Sequence, residues 1–423
     1  MQYECINCGY QTAKWLGKCP QCQSWDSFVK LNKFQDTNKK LDTKPAELIT
    51  IDQLEKSKKN TIRLKTGIKE FDRVLSGGIV KGSVTLFTGE PGIGKSTILL
   101  QLANNLKLLY VSAEESLEFV YDRIKRLDLK SSNLILTESK EINSILATSN
   151  KGFDLVIIDS IQTIYTSEIE SPQGSTSQLN AILNKIIEFA KQNNVAFIVV
   201  GHRTKSGDYA GPKTLEHMVD CVLSLDGDKH LDYRMLSTTK NRFGQTSEVG
   251  MFKMTNKGLV DNFDPLIFVD KDSKPKIGRV ITAEKKGQRV IFYEVQSLVV
   301  PTFLNIARRV AKGINQKKLI LLLAVIKKYL NLNIDKYDIY VSTTTVSSTN
   351  TNQIDLAIIA SIYSSLKNKP FPSTDLFIGH VDLLGQIRVN EETKTIAKTA
   401  KQTGFKNIIT ENKTNLKDLI INL

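Results

Sequence analysis

The stretch GEPGIGKST, Gly89 to Thr97, constrains this 423-residue chain more than any other. It follows an apolar run, SVTLFT, and leads into STILLQLANNL, which reads as a helix. Strand, glycine-rich turn and helix in that order make a phosphate cradle. Gly89, Gly92 and Gly94 free the backbone so that successive N–H groups wrap a phosphate at a helix N-terminus. Glu90, Pro91, Ile93 and Thr97 complete the loop, Lys95 is expected to reach the β- and γ-phosphates of ATP, and the Ser96 hydroxyl to ligate Mg²⁺.

The cradle demands a parallel sheet, and the flanking sequence supplies one. From Ile62 to about Phe263 the runs SVTLFTG, LKLLYVSAE, FDLVIIDS, VAFIVVGH and MVDCVLSLDG alternate with helical stretches. Near-continuous β-branched runs of this kind are strands buried on both faces of a mainly parallel sheet. A final pair, YRMLSTTKNRF and EVGMFKMTNKGL, reads as antiparallel strands added at an edge.

Three strand ends carry candidate chemistry. Asp159, closing DLVIID, is placed to hold Mg²⁺ through a water. Glu114 and Glu115 follow LKLLYVSA; Glu114 is read as the base that polarises the attacking water, and Glu115 as a cap for the next helix. His202, closing FIVVGH, is either a structural histidine or a sensor of the γ-phosphate.

Four of the five cysteines fall in the first 22 residues. Cys5-x2-Cys8 and Cys19-x2-Cys22 form two knuckles whose thiolates fit one tetrahedral structural Zn²⁺, rather than a redox pair, with no open position for catalysis. Gly9 and Gly17 serve the turns, and Trp15 and Trp25 are expected to cover the ion. After this unit, residues 31–60 are polar and poor in aromatics, the composition of a linker.

The expected organisation is therefore a zinc module over 1–30, a linker over 31–60, an ATPase domain over 61–264 and a second α/β domain over 265–423. In the last, KIGRVITAEKKGQRVIFYEVQSLVV and KYDIYVSTTTV read as strands, QKKLILLLAVIKKYL and IDLAIIASIYSSLKN as helices, and TDLFIGHVDLLGQIRV as a hairpin. No apolar run approaches the ~18 residues of a membrane helix, and the N-terminus lacks an apolar signal core, so a cytoplasmic protein without membrane contact is expected. The formal net charge of +14 favours a polyanionic partner.

KNRFG, residues 240–244, remains. Lys240 and Arg242 close the strand-like run from Tyr233, and Gly244 is expected to let the backbone turn. Two cations there are either a solvated hairpin tip or a phosphate contact. Their spacing puts both on one face of the strand.

With these residues in hand the chain resembles the RadA (Sms) family of bacterial DNA-repair proteins over nearly its whole length. The likeness rests on the four-cysteine motif, TGIKEFDRVLSGGIVKGSVTLFTGEPGIGKST, YVSAEES, IIDSIQT, AGPKTLEHMVDCVLSLDGD and KNRFG. It implies a RecA-like ATPase core and a C-terminal domain similar to the proteolytic domain of Lon. It implies a hexameric ring that translocates on single-stranded DNA and promotes branch migration of branched intermediates with RecA. Arg242, with Lys240, would then act as a finger on a neighbouring subunit's γ-phosphate, and the loops 166–177 and 204–213 would contact DNA.

Two departures stand out. Where Lon-type peptidases carry a nucleophilic serine, this chain has Gln353, followed by Ile354 and Asp355, and Lys394 falls near the peptidase lysine. Without a hydroxyl nucleophile no acyl-enzyme forms, so the domain reads as a scaffold. Arg203 in GHRTK stands where the family suggests an apolar residue. RRVAKGINQKK and KTIAKTAKQTGFKN either line a DNA path or are solvated faces. Beside the DNA motor, the layout leaves an ATP-dependent peptidase and a nucleotide switch of the KaiC type as rival readings.

Overall fold

The computed structural model describes residues 2–5, 8, 10–31, 50–52, 62–129, 131–202, 214–227, 232–246, 248–270, 274–345, 349, 351–410 and 416–417. The chain divides into two compact units, Met1–Asn60 and Thr61–Leu423. In the first, β1 (Gln2–Cys5) pairs antiparallel with β2 (Gln11–Thr12) and β3 (Phe28–Leu31). The expected linker and Gly9 lie almost wholly outside the described residues.

The second unit opens with a short antiparallel pair, β4 (Arg63–Leu64) and β5 (Ile79–Val80), separated in sequence by α1 (Lys69–Val74). Strands and helices then alternate: β6 (Val84–Gly89), α2 (Lys95–Gln101), β7 (Leu108–Ser112), α3 (Leu117–Arg126) and β8 (Leu134–Thr137). Next come α4 (Ile142–Ser149), β9 (Leu155–Asp159), α5 (Thr176–Asn193), β10 (Ala196–His202), α6 (Thr214–Met218) and β11 (Cys221–Gly227). Three antiparallel strands follow, β12 (Tyr233–Asn241), β13 (Val249–Thr255) and β14 (Gly258–Asp261). Together they make a nine-stranded sheet of order β14-β13-β12-β11-β6-β10-β9-β7-β8, parallel from β11 to β8.

The apolar runs are continuous because both faces of this sheet are covered. Leu155 and Ile157 of β9 enter one core and Val156 and Ile158 the other. The edge strand β8 is only half buried, so LILT carried no such signal. The expected edge pair is three strands, because EVGMFKMTNKGL turns at Asn256–Lys257.

A second sheet follows. Its strands are β15 (Arg279–Lys286), β16 (Arg289–Pro301), β17 (Arg309–Lys312), β18 (Tyr337–Thr343), β19 (Asp375–Phe377) and, last in the chain, Asn407–Ile409, in the order β17-β18-β16-β15-β19 with Asn407–Ile409 beside β19. Helices α7 (Gln316–Tyr329), α8 (Asp355–Lys367) and α9 (Glu391–Thr403) complete it. TDLFIGHVDLLGQIRV divides: β19 joins the sheet, and only His380–Val381 and Ile387–Arg388 form a hairpin.

The two sheets share a core. Met235, Val249 and Met251 from the first pack with Val280, Ile291 and Tyr293 from the second. Arg73–Glu248 at 2.5 Å ties α1 to the start of β13, and Arg289–Glu70 at 2.6 Å ties α1 to β16 of the second sheet. Among the described residues, no helix is long and apolar enough to cross a membrane.

Candidate nucleotide site

Strand register brings the predicted groups to one edge. Gly89 lies level with His202 and Leu225, and Ser112 level with Asp159, so the C-terminal ends of β6, β7, β9, β10 and β11 face the same way. The loop from Gly89 to Thr97 is held in left-handed backbone at Gly92 (φ 79°) and Gly94 (φ 114°). A Cβ on Gly89 would lie 2.5 Å from the Leu225 carbonyl oxygen, a distance no side chain tolerates.

The loop, the strand ends and α3 enclose a polar cleft of about 300 Å³ lined by Pro91, Lys95, Ser96, Glu114, Arg123 and Asp159, among others. Lys95 is buried and donates to the Gly89 and Glu90 carbonyls at 2.9 and 3.0 Å. Burial lowers its pKa, opposed by Asp159, Glu114 and Glu90. Ser96 Oγ donates to Asp159 Oδ2 at 2.6 Å, so the two groups expected around Mg²⁺ already touch. This donor set, a hydroxyl and a carboxylate beside a lysine on a backbone cradle, fits a Mg²⁺–nucleotide. Glu114 accepts from Ser160 Oγ, which orients its carboxylate.

Tyr110, Ser160, Arg123 and Arg126 were not singled out in the sequence. The Tyr110 hydroxyl, buried within β7, donates to Asp159 Oδ2 at 2.6 Å; burial and the Asp159 charge push its pKa well above the ordinary tyrosine value. Arg123 lies seven residues beyond Ser116, the residue that opens α3, and so on the same face two turns along, a period that was open to inspection. Glu115 is not a cap. It forms a forked pair with Arg123 at 2.7 and 3.1 Å, while the first N–H of α3 donates to Glu138 Oε1. His202 ends β10 beside Gly89, but its side chain, like Arg203 and the loop 204–213, lies outside the described residues. The loop 166–177 is anchored rather than slack: Gln178 Nε2 donates to the Thr166, Ile169 and Ser171 carbonyls.

KNRFG lies at the opposite edge. Lys240 pairs with Val222, which is level with Leu86; the Arg242 N–H donates to the Asp220 carbonyl, and the Asp220 N–H to that of Val84, where β6 begins. Five residues of strand, about 17 Å, separate that level from Gly89. Lys240 Nζ donates to the Glu216 and His217 carbonyls at the end of α6, whereas half-exposed Arg242 pairs with Asp220 at 3.1 Å. Burial and then Arg242 lower the Lys240 pKa. Gly244 serves a close approach and not a left-handed turn: an added Cβ would meet Ser76 Oγ at 2.1 Å.

In the N-terminal unit the four cysteine sulfurs lie within 4.8 Å of one another, with Cys5–Cys22 and Cys8–Cys19 each at 3.6 Å. Tetrahedral bonds of about 2.3 Å require sulfur spacings near 3.8 Å, so the four thiolates fit Zn²⁺. Trp15 and Trp25 do not cover the site: they are 52% and 72% exposed. Phe28, paired across β1 with Cys5, and Tyr3 shield it instead.

Beside the second sheet, on the short 3-10 turn Asn352–Ile354 that precedes α8, Gln353 is buried and bonded on both sides of its amide, donating to Asn390 Oδ1 at 3.1 Å and accepting from Thr393 Oγ1 at 2.7 Å. Lys394 points outward to Glu391 at 2.5 Å. Of the basic stretches, Arg309–Lys312 is strand β17, with Arg309 donating to the Ile334 carbonyl, and KTIAKTAKQT is α9, with Ile396 and Ala400 buried. An open and largely apolar groove of about 900 Å³ by β16 and β18 lies away from this chemistry.

Residues 3–30 match a family described as a rubredoxin metal binding domain, and residues 63–262 one described only as of unknown function. Among solved structures, the RadB recombinase is 26% identical over 47% of this chain and all of that chain, with a TM-score of 0.39. A KaiC-like protein from Pyrococcus horikoshii is 19% identical over 48% of this chain and all of its own, with a TM-score of 0.41. The DNA repair protein RadA of Rickettsia bellii is 39% identical over 98% of this chain and 94% of its own length. Those of Listeria monocytogenes and Bacillus subtilis are 37% and 38% identical, each over 96% of this chain and 91% and 92% of their own. With its four-cysteine module and a likeness of 37–39% identity along nearly its whole length, this chain belongs to the RadA family of DNA repair proteins.

Proposed function

We propose that this protein is an ATP-driven motor on single-stranded DNA that promotes branch migration of recombination intermediates with RecA, working as a hexameric ring. The observation that carries the reading is the separation of its cations. Lys95 belongs to the phosphate loop, whereas Lys240 and Arg242 lie three and five strand residues below it, about 10 and 17 Å, toward the other end of the strands. Such cations have no reach to their own subunit's phosphates, which supports a finger acting on a neighbour.

Lys95 would bind the β- and γ-phosphates, and Ser96 and Asp159 would hold Mg²⁺, which when bound screens the phosphate charge. Glu114, oriented by Ser160, would take the proton of the attacking water. His202 would read the γ-phosphate from the end of β10, and the loops 166–177 and 204–213 would meet DNA in the ring. The domain boundaries proposed are 1–30, 31–60, 61–264 and 265–423. The last is a non-proteolytic scaffold, since the place of the peptidase nucleophile holds an amide with both ends bonded.

The test is DNA-stimulated ATP hydrolysis by mixtures of Arg242→Ala and Lys95→Ala subunits, each inactive alone. Partial recovery on mixing is expected. Mixtures without recovery assign KNRFG to DNA contact, and hydrolysis that survives Lys95→Ala removes the motor reading.

A further inference from the structure

We propose that Arg123 reads the phosphates of its own subunit's nucleotide, held by Glu115 until nucleotide enters and drawn onto phosphate oxygens when it does. The inference rests on the ATP reading above. Arg123 and Glu115 line the same cleft as Lys95, Ser96 and Asp159, and no part of the proposed hydrolytic step uses them.

Their geometry is that of a transferable contact. The guanidinium grips Glu115 through two nitrogens, at 2.7 and 3.1 Å, and two phosphate oxygens offer that planar fork the same pairing with more charge. The partners differ in exposure: the Arg123 side chain is 21% exposed and that of Glu115 44%. If the pair opens, the carboxylate passes into water at little cost while the guanidinium stays in the cleft. An ion pair this exposed contributes little to stability, so the fold does not need it.

The charge balance points the same way. Lys95, Arg123 and Arg126 face Glu114, Glu115 and Asp159, three cations against three anions. A triphosphate with one Mg²⁺ brings further negative charge, and one of those cations is already committed to Glu115. Arg123 is the group whose transfer restores the balance. It already feels the Asp159 carboxylate, the group expected beside the metal.

Affinities for ATP and ADP with Mg²⁺, measured by calorimetry on the full chain, test this without any turnover. Arg123→Gln is expected to weaken ATP binding about tenfold and ADP binding by no more than that, with Arg123→Lys between it and the wild type. Glu115→Gln removes the competitor and is expected to tighten ATP binding several-fold. An Arg123→Gln protein that binds ATP as the wild type does, or a Glu115→Gln protein that binds it as weakly as Arg123→Gln, overturns the inference and leaves the ATP reading standing. A wild type that binds neither nucleotide, or a Lys95→Ala protein that binds as well, removes both.

Discussion

The edge of the nine-stranded sheet and the Gln353 site of the second sheet are each built from polar side chains where a sheet meets a helix, but they handle hydrogen bonding oppositely. At the first, Lys95 leans on two loop carbonyls, Ser96 and Tyr110 converge on one oxygen of Asp159, and the cleft stays open. These contacts are ones that a phosphate and a cation would replace under the function proposed above. At the second, the Gln353 amide is bonded at both ends and buried, and Lys394 faces solvent. On the function proposed above, the first site keeps its polar groups exchangeable for a ligand, and the second spends them on its own packing.

That contrast is breakable at several points. The largest effect is expected from Arg242→Ala, which should leave ATP binding intact and lower DNA-coupled turnover by about 10³–10⁵, the range of a finger supplied in trans. Lys240→Ala should cost less, because its ammonium is already spent on the Glu216 and His217 carbonyls. Parallel nucleotide titrations and hydrolysis rates check both, and weakened ATP binding in Arg242→Ala would place the residue elsewhere in the mechanism.

Tyr110→Phe should raise the Mg²⁺ concentration needed for nucleotide binding by about 10–100-fold, the usual cost of losing a group that orients a metal-binding side chain. A magnesium titration of nucleotide binding reads it, and an unchanged midpoint would show that Asp159 needs no such support. At the closed site, Gln353→Ala should leave nucleotide binding untouched and destabilise the protein by about 1–3 kcal/mol, since Asn390 and Thr393 lose a buried partner. Denaturant unfolding measures this, and a change in nucleotide affinity instead would make the second sheet part of the machinery. The smallest effect belongs to Lys394→Ala, an exposed pair worth less than about 1 kcal/mol.

Much of the first site was legible because its chemistry is local. Gly89, Gly92, Gly94, Lys95 and Ser96 are nine residues or fewer apart, and the backbone they require leaves its mark directly in glycines. Tyr110 was hidden inside a run whose other members are ordinary core residues. Arg123 lay beneath the expectation that Glu115 caps a helix, although the helical period placed it on the right face. Trp15 and Trp25 misled for the converse reason: aromatics near cysteines suggest a cover, whereas antiparallel pairing puts Phe28 against Cys5 and leaves both tryptophans outside.

By itself the sequence determined the phosphate cradle, the parallel sheet, the four-thiolate cluster and the family, because each depends on residues close in the chain or on a repeating period. Only the tertiary structure decided which long-range partners those groups meet. Asp159 joins Ser96 across 63 residues, Gln353 joins Thr393 across 40, and Arg242 is tied to Asp220 at the far end of the strands. Strand order and register fix those meetings, and no local pattern encodes which strand lies beside which.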